Sequence, residues 1–379
     1  MAICTKKCIF GTNKENMGQN VPYSALEKLP PKRESVETIA ILRQANSAIA
    51  ALAELKGIAK TIPNQAMLIN AIVLQEAKDS SEIENIITTQ DELYTALTID
   101  QSNISSATKE VINYRKAIFL GFDFVKNQEF LKVNDIVKIQ QSLVDNSAGI
   151  RSTPGTILKN DKTGEIVYTP PQDKQEILDL LSNFMNHYNQ DASDLSPLIS
   201  MAILHYQFES IHPFYDGNGR TGRILNILFL ILNRLIDIPI LYLSSYIIQN
   251  KSDYYKLLNH TNQTGEWEEW ILFTLRAVES TSLQTINKIN AIRNLLESTI
   301  TEMQLIAPKI YKKELVELLF EQPYSKIEFV VKRLNVERKA ASRYLHELED
   351  LGILKSHKIG RETLYINKKL VEILMDKME

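Results

Sequence analysis

The spacing of its apolar residues limits what this chain can fold into more than any other feature. From about Ser35 to Leu97 they return at helical intervals, with Ile39, Ile41 and Leu42 followed by Ile49, Leu52 and Leu55. The pattern recurs over Lys109–Val125, Val133–Leu143, Lys174–Tyr188, Leu195–Ser210, Arg220–Arg234, Asp253–Leu258 and Trp267–Leu305. Each such segment makes one apolar helix face that must be buried against other helices. Two regions break the rule. Gly149 to Pro171 carries two short β-rich runs around Asn160-Asp161-Lys162-Thr163-Gly164, which predicts a hairpin. Beyond Pro308, YKKELVELLF, KIEFVVKRL and KAASRYLHELEDLG predict three short helices, and ILKSHKIGRETLYIN predicts two strands turning at Gly360. That order outlines a winged helix-turn-helix. The expected fold class is mainly all-α, with one β-hairpin and a C-terminal winged helix-turn-helix domain.

At 379 residues the chain can hold two or three cores. Its formal net charge of −3 carries no whole-chain sign of nucleic acid or membrane, so a basic patch must be local. The two cysteines, Cys4 and Cys8, cannot staple a fold of this size, and a zinc site needs more ligands. The first 35 residues read as a polar, extended lead-in broken by Pro22, Pro30 and Pro31, without the apolar run of a signal peptide. Ile224 to Leu243 is the most apolar stretch, yet Asn226, Asn233, Arg234 and Asp237 interrupt it. Charges at membrane depth are costly, so it reads as a buried helix. The expectation is a cytoplasmic protein with no membrane partner.

The segment with chemical content runs from Ile211 to Arg223, IHPFYDGNGRTGR. Two helical stretches flank a loop that closes on two glycines one residue apart and then opens a helix. Glycines let the backbone turn sharply and approach a ligand, and a helix start favours an anion. Arg220 and Arg223 lie three apart, so both can face one ligand with forked donors suited to phosphate. Asp216 would repel phosphate, but makes sense as a Mg²⁺ ligand. His212 can serve as a general base. Singly, these residues read as a helix-end histidine, a turn and a solvated face. Together within a dozen residues they point to phosphoryl or nucleotidyl transfer.

The segment also resembles the signature of the Fic family, HxFx(D/E)GNGRxxR, at His212, Phe214, Asp216, Gly217, Asn218, Gly219, Arg220 and Arg223. The likeness extends into the preceding helix, PLISMAILHYQFESIHPF, and over roughly Ser35 to Leu305. It implies AMP transfer from ATP to a Ser, Thr or Tyr hydroxyl of a target protein, or of the chain itself. His212 would take the hydroxyl proton and Asp216 would hold Mg²⁺. Gly217, Asn218, Gly219, Arg220, Thr221, Gly222 and Arg223 would bind the phosphates, with Asn218 steering the α-phosphate. Phe214 would anchor the loop in the core. The resemblance also gives Ser80, Glu84 and Asn85 a place in the inhibitory pattern (S/T)xxxE(G/N), with Glu84 paired to Arg223 where the γ-phosphate would lie. The Gly149–Pro171 hairpin sits where the family carries its flap, which registers an extended target segment by main-chain pairing. Tyr255 and Asn262, in NKSDYYKLLNHTNQTGEW, would line the adenine side, and many relatives self-associate as homodimers.

The expected divisions are residues 1–105 for an N-terminal helical region with the inhibitory helix, 106–305 for the catalytic core and 309–379 for the winged-helix domain. In the last, Lys332, Arg333, Arg338, Lys339 and Arg343, with Lys355, Lys358 and Arg361 in the wing, suit DNA phosphates. Glu337, Glu347, Glu349 and Asp350 interleave, and a protein-binding module fits as well. Three alternatives stay open: a DNA-binding regulator whose core only senses nucleotide, transfer of another group such as UMP, phosphate or phosphocholine, and a bifunctional enzyme that also removes AMP.

Overall fold

After a single turn, α1 (Arg33–Val36), helices begin where a side-chain oxygen can take the first orphan N–H groups. Thr38 does this for α2 (Ile39–Ala59), Asn64 for α3 (Gln65–Ile83), Thr89 for α4 (Gln90–Thr98) and Ser105 for α5 (Ser106–Gln128). Next come α6 (Val133–Val144), the strands β1 (Leu158–Lys159) and β2 (Ile166–Tyr168), and α7 (Lys174–Tyr188), capped by Asp173. Pro197 opens α8 (Pro197–Ile211), a position where its missing N–H does no harm. Behind Gly217 starts α9 (Asn218–Leu232), followed by α10 (Ser244–Gln249), α11 (Lys251–Thr264) and the long α12 (Glu268–Ile306). The last elements are α13 (Lys313–Glu321), β3 (Tyr324–Ser325), α14 (Ile327–Leu334), α15 (Arg338–Asp350), β4 (Lys355–Ile359), β5 (Glu362–Ile366) and α16 (Lys368–Met375). This computed structural model describes residues 26–62, 64–99, 104–159, 164, 166–189 and 195–375; Cys4, Cys8 and the turn residues Asn160 to Thr163 lie outside them.

At the centre lie α8 and α9. From Leu198 to Ile211 every residue but Ser200 is buried, as is α9 through Leu230. A helix buried all round belongs in the middle of a bundle. Around this pair, α12 runs along α2 and packs on α8, while α5 packs on α9, α6 and α3. The C-terminal elements form an antiparallel sheet of order β3-β5-β4, with Tyr324 opposite Ile366 and Lys355 opposite Ile366 on the other side. They are seated on the rest of the molecule: α13 and α16 both pack on α3 and α12. The Tyr94 and Tyr324 rings stack at 5.0 Å, and buried Lys288 donates to the Leu374 carbonyl at 3.1 Å.

The mainly helical expectation and both β-rich regions appear. The hairpin strands are short, and their register shifts at Leu158/Lys159. The Asp253–Leu258 pattern is part of a longer helix, and two helices, α10 and α16, escaped the periodicity. At 6 residues α10 is too short to show one, whereas α16, at 8 residues, is no shorter than α14, which the pattern did indicate. The Ile224–Leu243 stretch is helical only to Leu232; Arg234 turns left-handed (φ 57°), Arg234 and Asp237 are exposed, and Ile236 and Ile238 to Leu243 are buried without helix. Among the described residues no helix is long and apolar enough to cross a membrane.

Candidate active site

The loop between α8 and α9 is held by its own residues. His212 ends α8 in the left-handed region, at φ 48° and ψ 58°, and Gly217 takes φ 79° before α9 begins. The Asn218 side chain clamps Phe214 on both edges: Nδ2 donates to the Phe214 carbonyl and Oδ1 accepts from its N–H, each at 2.8 Å. Phe214 is buried, as expected of an anchor. Gln140 donates to the Asp216 carbonyl at 3.0 Å from α6.

From the opposite side, the end of α3 brings Glu84. Its Oε1 accepts from Arg223 Nη2 at 2.8 Å, and both side chains are almost wholly buried (5% and 1% exposed). Arg223 also donates to the Ser80 hydroxyl at 2.7 Å and the Ser80 carbonyl at 2.9 Å. A β-carbon on Gly219 would land on Glu84 Oε1, so glycine is what lets the carboxylate lie against the first turn of α9. Glu84 therefore occupies the spot where helix dipole, orphan N–H groups and guanidinium jointly favour an anion. Burial works against the charge on Arg223, but Glu84 and the surrounding tyrosines outweigh it and hold the guanidinium charged.

His212 lines the same cavity. Burial, then the Arg151 cation, push its imidazole down to about 4, so it is neutral at pH 7. With it stand Glu84, Glu209, Gly219, Arg223, Tyr254, Tyr255, Leu258 and Asn262, and the flap residues Leu158, Val167 and Tyr168. The free volume is about 40 Å³, far below the ~300 Å³ or more of an open ligand pocket. Tyr255 meets Tyr254 edge-on at 5.1 Å, and Asn262 Oδ1 accepts from Tyr206 at 2.7 Å and Ser210 at 3.1 Å.

The remaining expected site residues fall elsewhere. Arg220 does not share a ligand face with Arg223: it pairs with Glu110 of α5 at 3.0 Å and with Asp216 at 3.5 Å. Asn218 has both amide atoms committed to Phe214 rather than aimed into the cavity. Gly222 faces α8, where a β-carbon would come within 2.7 Å of Glu209 and 3.2 Å of Phe208. Gly217 supplies the turn, and the Thr221 hydroxyl is buried without a partner. Asp216, partly exposed at the outer edge, accepts from the Gly217 N–H at 2.6 Å; burial raises its carboxyl, partly offset by Arg220. Among the described residues no group of three or more His, Cys, Asp or Glu could hold a metal ion.

Sequence reasoning passed over several buried ionisable groups, among them Glu209, Glu76 and Arg151. Burial pushes Glu209 up to about 7, partly opposed by Arg223, and its Oε1 has no hydrogen-bond partner. Burial likewise lifts Glu76 to about 7, although it accepts from Ser244 and Tyr114. The third is Arg151, wholly buried at the start of the flap. An acid in the helix that leads into the His212 loop was a readable sign of Glu209; nothing near Arg151 marked it.

Family models match three stretches of the chain: "Fic/DOC family N-terminal" over residues 42–123, "Fic/DOC family" over 130–230, and "Protein adenylyltransferase SoFic-like, C-terminal domain" over 295–370. Among curated relatives, the Protein adenylyltransferase Fic of Nematostella vectensis is 27% identical over 178 residues, covering 45% of this chain and 38% of the relative. The Protein adenylyltransferase fic-1 of Caenorhabditis elegans is 25% identical over 177 residues, covering 45% of this chain and 32% of the relative. The chain thus spans under half the length of these relatives. Among solved structures, a Fic family protein from Desulfovibrio desulfuricans superposes with a TM-score of 0.53 at 17% identity, covering 89% of this chain and 98% of that one. A Fic domain containing signaling protein from Bacteroides thetaiotaomicron gives 0.51 at 19% identity, covering 66% and 95%. The chain carries Fic/DOC family N-terminal and Fic/DOC family domains in succession, with a SoFic-like C-terminal domain behind them.

Proposed function

We propose that this chain is a protein adenylyltransferase that moves AMP from ATP onto a Ser, Thr or Tyr hydroxyl of a target protein, with Glu84 as its brake. One observation carries the reading: a neutral buried imidazole, the mouth of α9 and a guanidinium stoppered by a carboxylate share one cavity. In the reaction the acceptor oxygen attacks the α-phosphorus as the bond to the bridging β-phosphate oxygen breaks. Pyrophosphate leaves with the electron pair, and His212 receives the hydroxyl proton. Negative charge brought in by the triphosphate favours the imidazolium form, so His212 becomes a better base once nucleotide enters. Arg223, released from Glu84, meets the γ-phosphate, and the first N–H groups of α9 face the chain of phosphates. Tyr255 and Asn262 border the base, while Asn218 acts by holding the loop.

Asp216, partly exposed and only loosely paired with Arg220 at 3.5 Å, fits Mg²⁺, which is usually held by one or two carboxylates plus substrate phosphates. When bound, the ion supplies charge neutralisation at those phosphates. We read the chain as residues 1–105 bearing the brake, 106–305 carrying out the transfer and 309–379 as an accessory module. Incubation with α-labelled and γ-labelled ATP tests the activity. Label kept only from the α position supports AMP transfer; γ label alone means a kinase, and neither means a nucleotide sensor. His212→Ala must abolish the signal.

A second reading for the accessory module, DNA binding, draws on the exposed Lys339, Arg343, Lys355, Lys358 and Arg361 on α15 and the wing. Two of its arginines are already engaged, Arg338 with Glu328 and Arg333 with Glu321. Retention of duplex DNA that falls steeply with salt is the expected mark of this activity.

A further inference from the structure

The last turn of any helix leaves carbonyls without intrahelical partners. In α8 these belong to the residues around His212, and the flap satisfies them in series. The Tyr168 hydroxyl donates to the Ser210 carbonyl at 2.9 Å. Arg151 Nη2 donates to the Ile211 carbonyl at 3.3 Å, and Arg151 Nε to the His212 carbonyl at 2.7 Å. The Arg151 backbone N–H donates to the Pro213 carbonyl at 2.9 Å. Four consecutive carbonyls, 210 to 213, thus accept from two flap residues.

Arg151 also reaches the far end of the flap, where Nη2 donates to the Pro171 carbonyl. One guanidinium therefore joins the flap's entry, its exit and the backbone of His212. Neighbouring contacts run the same way. Ile150 bridges Phe214, and the Tyr215 hydroxyl accepts from the Ser152 N–H at 2.9 Å and the Thr153 N–H at 3.3 Å. A planar fork can hold several carbonyls in fixed directions, which a lysine ammonium cannot.

We propose that Arg151 is the positioning residue through which the flap sets His212, so that a segment docked on the flap strands is registered at the base by this one side chain. The inference rests on His212 acting as the base. It concerns a residue that touches no substrate and works through the backbone of one that does. The charged and titratable groups around the imidazole are Arg151 and Tyr168 of the flap, Glu84 of α3, Glu209 of α8, Arg223 of α9 and Tyr254 and Tyr255 of α11. Arg151 is the cation that most depresses its basicity after burial.

The test uses the full chain carrying Glu84→Gly, with self-transfer from α-labelled ATP measured between pH 5 and 9. Arg151→Lys keeps the charge and loses the fork. It should cut kcat roughly 10- to 100-fold, as misplaced reacting groups do, with KM for ATP within about twofold. Arg151→Met removes the charge as well, and should also move the acid limb of the pH profile upward, which Arg151→Lys should not. Should Arg151→Met fail to fold, Arg151→Lys decides alone. Unchanged kcat, or a loss residing wholly in KM for ATP, overturns the proposal. His212→Ala run alongside separates the two claims: if it still transfers AMP, the functional reading itself fails. If it is inactive while Arg151→Lys behaves as the parent, only the role of Arg151 is lost.

Discussion

The end of α3 and the flap both line one cavity, and each brings a buried charge of opposite sign to the helices around it. The first inserts a carboxylate, Glu84, onto the guanidinium of α9. The second inserts a guanidinium, Arg151, onto the carbonyls that end α8. Both contacts are buried and strong, yet they differ in what can replace them. A triphosphate offers Arg223 the same kind of partner that Glu84 does, so the first contact is exchangeable. A phosphate group cannot substitute for a guanidinium fork on backbone carbonyls, so the second contact has no such exchange partner. A brake can be built only from the exchangeable kind.

His212 lies between the two contacts. His212→Ala should lower AMP transfer by roughly 10²–10⁴-fold, the usual contribution of a general base, as read by α-label incorporation. Retained transfer would leave the cavity without its chemistry.

The next effect comes from the exchangeable side. Glu84→Gly frees Arg223 from a charge-assisted bond worth about 1.5–3 kcal/mol, which corresponds to a rise in self-labelling of roughly 10- to 100-fold. The same change strands a buried guanidinium, so stability should fall by about 3 kcal/mol. Excess ATP with Mg²⁺ should recover part of that loss in thermal unfolding. A variant that labels itself no faster than the parent, or that ATP does not stabilise, removes the brake.

A smaller effect sharpens the electrostatic side. The Glu209 carboxyl is raised to about 7 in the fold against an unfolded value near 4.5. The native state therefore holds a proton that the unfolded chain has lost between those values, and this contribution to stability declines as pH rises from about 4.5 through 7. His212, depressed to about 4, acts oppositely, with stability rising between about 4 and 6.5. Glu209→Gln should remove the first trend alone. Measured as stability at pH 7 minus stability at pH 5, the variant should exceed the parent by on the order of 1–2 kcal/mol. An unchanged difference means that the carboxyl is ionised in the fold.

The smallest effect is a control on burial. Arg338 and Glu328 form an ion pair with side chains 70% and 43% exposed. Arg338→Ala should change stability by less than about 1 kcal/mol in chemical unfolding, because water and salt screen such a pair. A loss as large as that of Glu84→Gly would mean that charge, rather than burial, governs the contrast.

Much of the architecture was readable because helical burial repeats along the chain. The long helices, the hairpin and the C-terminal outline all leave periodic or turn-forming traces, whereas α10 is too short to do so. The loop from His212 to Arg223 announced an anion site through residue types alone. What those types did not convey was direction. Arg220 and Arg223 sit three apart on α9, yet they turn to carboxylates on different helices. Gly222 resembles a phosphate glycine and packs against Glu209 and Phe208. Asn218 has its amide committed to Phe214. Such outcomes depend on which neighbours the fold supplies.

Taken alone, the amino-acid order determined the helix periods, the glycine-bounded turn and the presence of a base, a carboxylate and two guanidiniums within a dozen residues. The pairing of Glu84 with Arg223 across 139 positions was expected from the resemblance and is formed, but only the tertiary structure decided the others: Glu110 with Arg220 across 110 positions, and Arg151 with the His212 carbonyl across 61. Local order is written in nearest-neighbour sterics and hydrogen bonding. An ion pair or carbonyl clamp requires two distant segments to meet within about 3 Å, and that distance exists only once the core between them has packed.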